Sequence, residues 1–464
     1  MDEKFELHSK MQWEGVFWDA SRPDDKFAGT LSSDGKHIEL VTRAELVTPT
    51  PAMFVGMDEA PVPDVVHGYT SSGDCTIIGL QQIEAPGNLN YATGRGIRWR
   101  RLRVTGACMT GWHLPSDTVE ALTAADLTYT GINEWLPGCG ARTTYGDEAI
   151  TVSIPKKRPT VVDICVLAKR FHLLIKIDSN FQGHLAGKNF STQSEPIIML
   201  EPAEPRSMQW FIEVSNRLEN FLSLCLGTLV RAKSMRLIGE SEDTESGWLI
   251  RPRAGKVQKP SLPLWLRCDS SQLSTAIASW FAMSEEFMPL ETLIYGTIRH
   301  SSLFVETEFL SLAQAIESFH RLTDKSTVVA PDVFAQVQKD LTGFISQQNW
   351  GNFPIAARCL EAITFANDPT FKSRIESLLT RIDAEHLRKL IGDSVVFERT
   401  LRQTRNYLTH PGTRKKGNVL TDAKQIFLFN QKLHVLLRFL ILRVMGFSEE
   451  AIFEQLFQQA RRYS

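Results

Sequence analysis

At 464 residues, with 43% apolar and 22% charged side chains, the chain has the make-up of a globular protein and is longer than one hydrophobic core sustains. The 51 Lys and Arg against 53 Asp and Glu leave a net charge of −2, so any nucleic-acid contact has to be a local patch rather than a property of the whole surface. Seven Cys at positions 75, 108, 139, 165, 225, 268 and 359 form no CxxC pair, which argues against a zinc framework or a disulfide scaffold and for reduced thiols, as in a cytosol.

The N-terminus, Met1-Asp2-Glu3-Lys4, is acidic and has no apolar run after it, so no secretory signal is expected. Residues 1–204 read as a β-rich domain. Short runs at Lys26–Ser32, Lys36–Thr42, Cys75–Leu80, Ile97–Thr105 and Ala149–Ile154 are separated by Gly, Pro, Asp and Ser. Val161–Leu167 and Phe171–Ile177 form the clearest strand pair, joined by a short basic link. Trp13, Phe17, Trp18, Phe27, Trp99, Trp112 and Trp135 are expected to fill a β core; the alternative, a ligand groove lined with Trp, is not selected by anything in their spacing.

From Pro205 the pattern changes. Ser207–Val230 places Trp210, Phe211, Val214, Leu218, Phe221, Leu222 and Cys225 near one helical face. Two strands, Ser234–Gly239 and Gly247–Arg251, a proline-rich piece at Pro260–Pro263 and a helix from about Gln272 to Met283 follow. This 205–292 region is a mixed helical and strand connection, read as part of the N-terminal domain, with a small module of its own as the alternative. Residues 293–464 read as helical, with helices at Val305–Leu322, Pro331–Gln347, Phe353–Ala366, Thr370–Ile382, Asp393–Thr409, Asp422–Met445 and Ser448–Arg461. The apolar run Leu433–Phe447 is broken by His434, Arg438 and Arg443 at intervals that suit a buried core helix. No membrane span is expected.

The densest chemistry lies at Leu401-Arg402-Gln403-Thr404-Arg405-Asn406-Tyr407-Leu408-Thr409-His410-Pro411-Gly412. Asn406 and His410 are four apart and share one helical face, as do Arg402 and Asn406. Arg405 and His410 are five apart, which an ideal helix points more than a right angle away from each other. Pro411 disfavours the α conformation at His410, so the helix is expected to end there and free the imidazole to turn toward Arg405. Between Arg399 and Thr421 stand Arg399, Arg402, Arg405, Arg414, Lys415 and Lys416 with no Asp or Glu, a local field that suits a phosphate. No Walker string, no Gly-x-Ser-x-Gly elbow and no His/Cys/carboxylate cluster of zinc spacing occurs.

An all-helical C-terminal half carrying Arg-Asn-x-x-x-His resembles the HEPN superfamily. Phe17-Trp18, Phe27-Ala28-Gly29-Thr30-Leu31 and Ile38-Glu39-Leu40 look like the N-terminal domain of ApeA-like HEPN proteins, and Phe309 to Glu317 looks like their first HEPN helix. The fold this implies is α+β and multidomain, a β-rich N-terminal domain followed by an all-α HEPN bundle. The resemblance also implies an endoribonuclease that needs no metal or cofactor and acts in antiphage defence by abortive infection, with tRNA as one substrate class.

Arg405, Asn406 and His410 are the expected catalytic residues. Glu317, Arg402 and Tyr407 are expected to support them, and Arg414, Lys415 and Lys416 to follow the RNA. A His transfers protons near neutral pH, and an Arg clamps phosphate oxygens while never losing its charge. One His per chain leaves one proton role unfilled, so the resemblance implies a homodimer or higher homo-oligomer through the HEPN domain. A phage-derived trigger on the N-terminal domain and a cytoplasmic location complete the expectation. The rivals are a non-catalytic HEPN module that binds RNA or protein, and a pure interaction protein whose helical half dimerises.

Overall fold

The computed structural model describes residues 5–46, 62–84, 87–90, 95–132, 142–145, 150–153, 160–166, 169–183, 190–239, 246–252, 270–299, 303–348, 354–410 and 417–460. The chain divides into two compact units, Met1–Ala282 and Met283–Ser464. The division falls before residue 293, because a helix starting at Ser284 belongs with the second unit.

The first unit opens with β1 (Lys10–Asp19), β2 (Phe27–Asp34), β3 (Ile38–Leu46), β4 (Val65–Thr70), β5 (Gly73–Glu84), β6 (Gly87–Asn90) and β7 (Arg95–Thr110). Strands β1, β2, β3, β7, β5 and β4 pair antiparallel in that order, and β4 returns to β1, which closes a six-stranded barrel. Closure leaves no free strand edge around the ring. Inward side chains alternate with outward ones: Trp13 and Phe17 are buried while Gln12, Glu14 and Val16 between and beside them are exposed. Leu31, Ile38, Leu40, Ile77, Leu102 and Val104 complete the interior. Cys75 and Cys108 lie buried there as free thiols, and the hydrogen bond that the Cys108 thiol donates to Cys75, together with burial, pushes the Cys108 thiol well above its ordinary range.

A second sheet runs β11 (Thr160–Val166), β12 (Lys169–Gly183), β13 (Phe190–Pro202), β8 (Leu122–Tyr129) and β14 (Ala232–Gly239). The four-residue β15 (Gly247–Ile250) splices it to the barrel. Gly247 and Trp248 pair with β14, while Leu249 and Ile250 pair with β7. A separate hairpin joins β9 (Arg142–Tyr145) to β10 (Ile150–Ser153).

Helix α1 (Met208–Leu226) begins at Ser207, whose side chain accepts from the Trp210 amide, and ends at Gly227 in the left-handed conformation that glycine tolerates best. It packs on β8 and β14 through a buried stripe that includes Phe211, Leu218, Phe221 and Leu222. The Tyr129 hydroxyl lies 3.0 Å from Ser215 Oγ, and Glu219 accepts from the Ala232 amide at 2.8 Å. Helix α2 (Ser270–Ala282) packs on β11, and the Trp280 indole donates to the Arg217 carbonyl at 3.2 Å.

The second unit contains α3 (Ser284–Arg299), α4 (Val305–Thr323), α5 (Pro331–Gln347), α6 (Ile355–Thr364), α7 (Phe371–Leu379), α8 (Ala384–Ile391), α9 (Ser394–Thr409), α10 (Ala423–Val444) and α11 (Glu449–Ala460). Helices α3 and α8 are additions to the sequence reading. Pro289 interrupts the pattern of α3, and α8 has only 8 residues, too few for a helical period to stand out.

Helix α4 is the centre of this unit and touches α3, α7, α9 and α10. Its stripe of Phe309, Leu312, Ile316 and Phe319 is fully buried. Each such side chain contributes roughly 1.5–3 kcal/mol by burial, more than the ~1 kcal/mol of a helix cap, so packing rather than capping decides where the neighbouring helices sit. Helix α10 is long and apolar enough to cross a membrane by length and composition, and 67% of that window is buried inside the bundle.

Glu308 locks α4 to α10. Its carboxylate accepts from Asn430 Nδ2 at 3.0 Å and lies 2.8 Å from His434 Nε2. Burial alone would raise this carboxyl, but the hydrogen bond and charge of His434 and the Asn430 amide outweigh it and hold the group below its ordinary value of 4.5. A folded-state pKa below the unfolded one adds stability above the unfolded value and loses it as pH falls through the folded one. The urea midpoint is therefore expected to drop when pH is lowered from 7 through the carboxylate range, and Glu308→Gln is expected to flatten that drop. An unchanged pH slope in the variant would assign the acid sensitivity elsewhere.

Candidate functional site

Helix α9 carries the motif, and its sequence explains how. Asp393 caps it by accepting from the Val396 amide at 2.8 Å. Phe397, Thr400, Leu401 and Thr404 recur at helical spacing and are buried, so this face is committed to the core. The Phe397 ring stacks on Phe429 of α10 with centroids 4.9 Å apart. The helix ends at Thr409, and His410 leaves it with φ −126° and ψ 82° while its amide still donates to the Asn406 carbonyl at 3.0 Å. The imidazole is exposed and no longer bound to the helical direction.

Arg405 follows Leu401 by one turn and lies at the edge of the packed face. Its Nη2 is 3.5 Å from Glu317 Oε2 on α4, and its guanidinium carbon sits 4.9 Å from the centre of the Phe371 ring at the start of α7. Its side chain is 32% exposed, so it is anchored from beneath and still reaches solvent. Glu317 is shared: Arg321 of the same helix approaches it more closely, at 3.1 Å. The Arg405 contact exceeds the 2.7–2.9 Å of a strong charge-assisted hydrogen bond, so a phosphate could compete for this guanidinium. Glu317 thus makes both contacts at once, the i, i+4 pair with Arg321 and the reach to the motif.

The remaining site residues fall in different places. Asn406 is exposed on the side of α9 away from the core, and its carbonyl accepts from His410 and, at 3.4 Å, from the Thr409 hydroxyl. Tyr407 is half-buried and leaves the helix ~160° around from Arg405, so α9 does not bring these two side chains to one flank. Arg402 donates to the buried Glu398 at 2.6 Å. Pro411, Gly412, Arg414, Lys415 and Lys416 lie outside the described residues. Just beyond them the chain is fastened back to α9, with the Asn418 amide donating to Gln403 Oε1 at 3.3 Å and the Leu420 amide to Thr404 Oγ1 at 3.1 Å.

The surroundings of the motif are therefore not free of acid, as the linear sequence indicated. Folding brings Glu317 to Arg405 from 88 residues away, and Glu398 lies one turn before Arg402 on α9. Each carboxylate fixes a guanidinium, and a fixed guanidinium is a better oxyanion clamp than a wandering one. Phe371 was missed, because an aromatic at a helix start carries no local mark of a partner 34 residues on. Among the described residues no group of three His, Cys, Asp or Glu is placed to hold a metal ion.

A family model described as Apea-like HEPN matches residues 310–451, which include Glu317, Phe371 and the whole of α9. A second, described as ApeA N-terminal domain 1, matches residues 12–274, which include the barrel and the second sheet. No curated protein and no solved structure matches the chain.

Proposed function

Since the chain belongs to the ApeA-like HEPN family, we propose that its helical unit is a metal-independent endoribonuclease that acts in antiphage defence by abortive infection. The observation that carries this reading is an exposed His410 at the C-terminal end of α9, five residues after an arginine that Glu317 and Phe371 hold at the solvent edge.

The chemistry follows from these groups. The ribose 2′-oxygen attacks the adjacent phosphorus as its proton leaves, and the bond to the 5′-oxygen breaks as that oxygen is protonated. Products are a 2′,3′-cyclic phosphate and a free 5′-hydroxyl. Arg405 holds the non-bridging oxygens, on which negative charge grows in the phosphorane. Asn406, on the open side of the helix, orients the phosphate or fixes one His410 tautomer. His410 carries one of the two protons. The other needs a second base or acid, and a second copy of the chain supplies the same His, so the working form is a homodimer with the two motifs facing each other. tRNA is the proposed substrate class, the cytoplasm the proposed location, and the N-terminal unit the proposed receiver of a phage-derived trigger.

The test is cleavage of purified tRNA by the full chain in the presence of EDTA, with the new ends identified. Retained cleavage with 2′,3′-cyclic phosphate ends supports the reading. Cleavage abolished by EDTA and restored by a divalent cation would replace it with metal-dependent hydrolysis.

A further inference from the structure

Two of the early aromatics do not enter the barrel core. Trp18 follows the buried Phe17 by one residue, so the strand alternation turns it off the interior face, and it remains half-buried. Phe27, directly opposite Phe17 in register, is 40% exposed. Both lie at the end of the barrel where β1 runs into β2, and there they border a cavity of about 210 Å³. Its apolar wall includes Phe17, Leu40, Val66 and Leu102.

The polar lining is built rather than incidental. Arg100 of β7 lines the cavity, and its Nε donates to Gln82 Oε1 at 2.8 Å, which fixes its direction. Arg22 and Asp19 also line it, 3.2 Å apart. Burial alone would raise the Asp19 carboxyl, but hydrogen bonds from the Ser21 hydroxyl at 2.7 Å and from Arg22 hold it below its ordinary range. Asp19 therefore stays ionised and is neutralised from within. Two guanidiniums against one carboxylate leave the lining with a positive balance. The Lys26 ammonium rests 4.7 Å from the centre of the Trp18 ring, and His113 meets the same ring edge-on at 5.1 Å.

We propose that this cavity binds a planar aromatic anion, a fused two-ring system carrying a phosphate or carboxylate. Size sets the ring system: a cavity of ~150 Å³ lined by apolar side chains holds one benzene, so the larger volume here takes a second fused ring. The walls set its flatness, since Phe27 and Trp18 offer faces and edges for aromatic stacking. Arg100, the guanidinium beyond the Arg22–Asp19 pair, sets the sign of the charge. The closed barrel offers no free strand edge here for a peptide backbone to pair with, so a protein could present only a single side chain to this site.

Titration calorimetry on the full chain tests this with two anionic sources, a purine mononucleotide (AMP or GMP) and indole-3-acetate. Adenosine and indole serve as their neutral counterparts, and N-acetyltryptophanamide stands for a protein side chain. At least one anion is expected to bind saturably, one per chain, and more tightly than its neutral counterpart. Arg100→Gln should weaken the anion about tenfold and bring it to the level of the neutral ring. Phe27→Leu, which keeps the bulk and removes the ring, should weaken anion and neutral ring alike, each by about fivefold. Melting temperature and circular dichroism of both variants establish that they are folded. Saturation by none of the five compounds overturns the proposal. So does binding that neither variant changes, and so does N-acetyltryptophanamide binding as tightly as the anions, which would assign the cavity to a protein ligand. None of these readings depends on RNA cleavage.

Discussion

Replacing His410 with alanine is expected to lower RNA cleavage by about a hundred- to ten-thousandfold, the range that loss of a positioned proton-transfer group produces. The side chain is exposed at the end of α9, so the variant should melt as the wild type does, and the loss can be assigned to chemistry. The sharper form of the experiment uses mixed dimers. If each copy supplies one of two proton transfers to a shared site, a dimer of one wild-type and one His410→Ala chain lacks one of them and falls nearly to the level of the double variant. If each copy cleaves alone, the mixed dimer keeps half the activity. Differently tagged chains, co-expressed and purified through both tags, separate the two cases by rate. Half activity would mean that one histidine suffices, which removes the chemical need for a dimer while leaving His410 as the acid or base.

Arg405→Lys is expected to be nearly as damaging, with kcat reduced roughly a hundred- to a thousandfold, although the charge is kept. A guanidinium presents a planar fork that matches two phosphate oxygens, whereas an ammonium is a point charge. The Phe371 ring beneath Arg405 suits the flat group and would hold an ammonium less firmly. If Arg405 clamps charge that develops in the phosphorane, as proposed, kcat should fall far more than KM rises. Glu317→Gln is the companion variant: it keeps the shape and removes the charge that anchors Arg405 at 3.5 Å, so a smaller fall is expected. Equal losses in kcat and affinity for Arg405→Lys would reassign Arg405 to general RNA binding.

Much of this architecture is legible in the residues, and the parts that are not have physical causes. The stripe Phe309, Leu312, Ile316, Phe319 marks α4 because one face is apolar over its whole length. The strand pair from Val161 to Ile177 is legible because its apolar runs are dense and the link is short, and β11 and β12 do pair there. Barrel closure is not legible. It depends on β7, a 16-residue strand that pairs with β3, β5, β6 and β15, and no local alternation reveals how many neighbours a strand will have. One contact behind closure is the approach of Gly79 to Gly106, where a Cβ on Gly79 would meet the Gly106 nitrogen at 2.6 Å and where φ is +66°.

The site divides in the same way. Its motif is local, and so is the helix end at His410. The groups that hold Arg405 come from α4 and α7, and only packing brings them together. Glu398 was within reach of the sequence by the i, i+4 rule, since Arg402 lies one turn on. It escaped because the acid-free window begins at Arg399, one residue too late.

Strand β15 has a consequence for how stability is shared within the first unit. Gly247–Ile250 is bonded on one side to the sheet that α1 backs and on the other to the barrel, so this short segment acts as a weld between the two β layers. A Cβ at position 247 would collide with the Thr110 carbonyl, so the joint tolerates no side chain there. Free energy that a ligand adds at the barrel mouth is shared with the α1-backed sheet through a continuous hydrogen-bond network, in the way that any native-state ligand stabilises the whole cooperative unit it belongs to. A small molecule held near Trp18 would thereby stiffen residues it never touches, as far along the weld as β14.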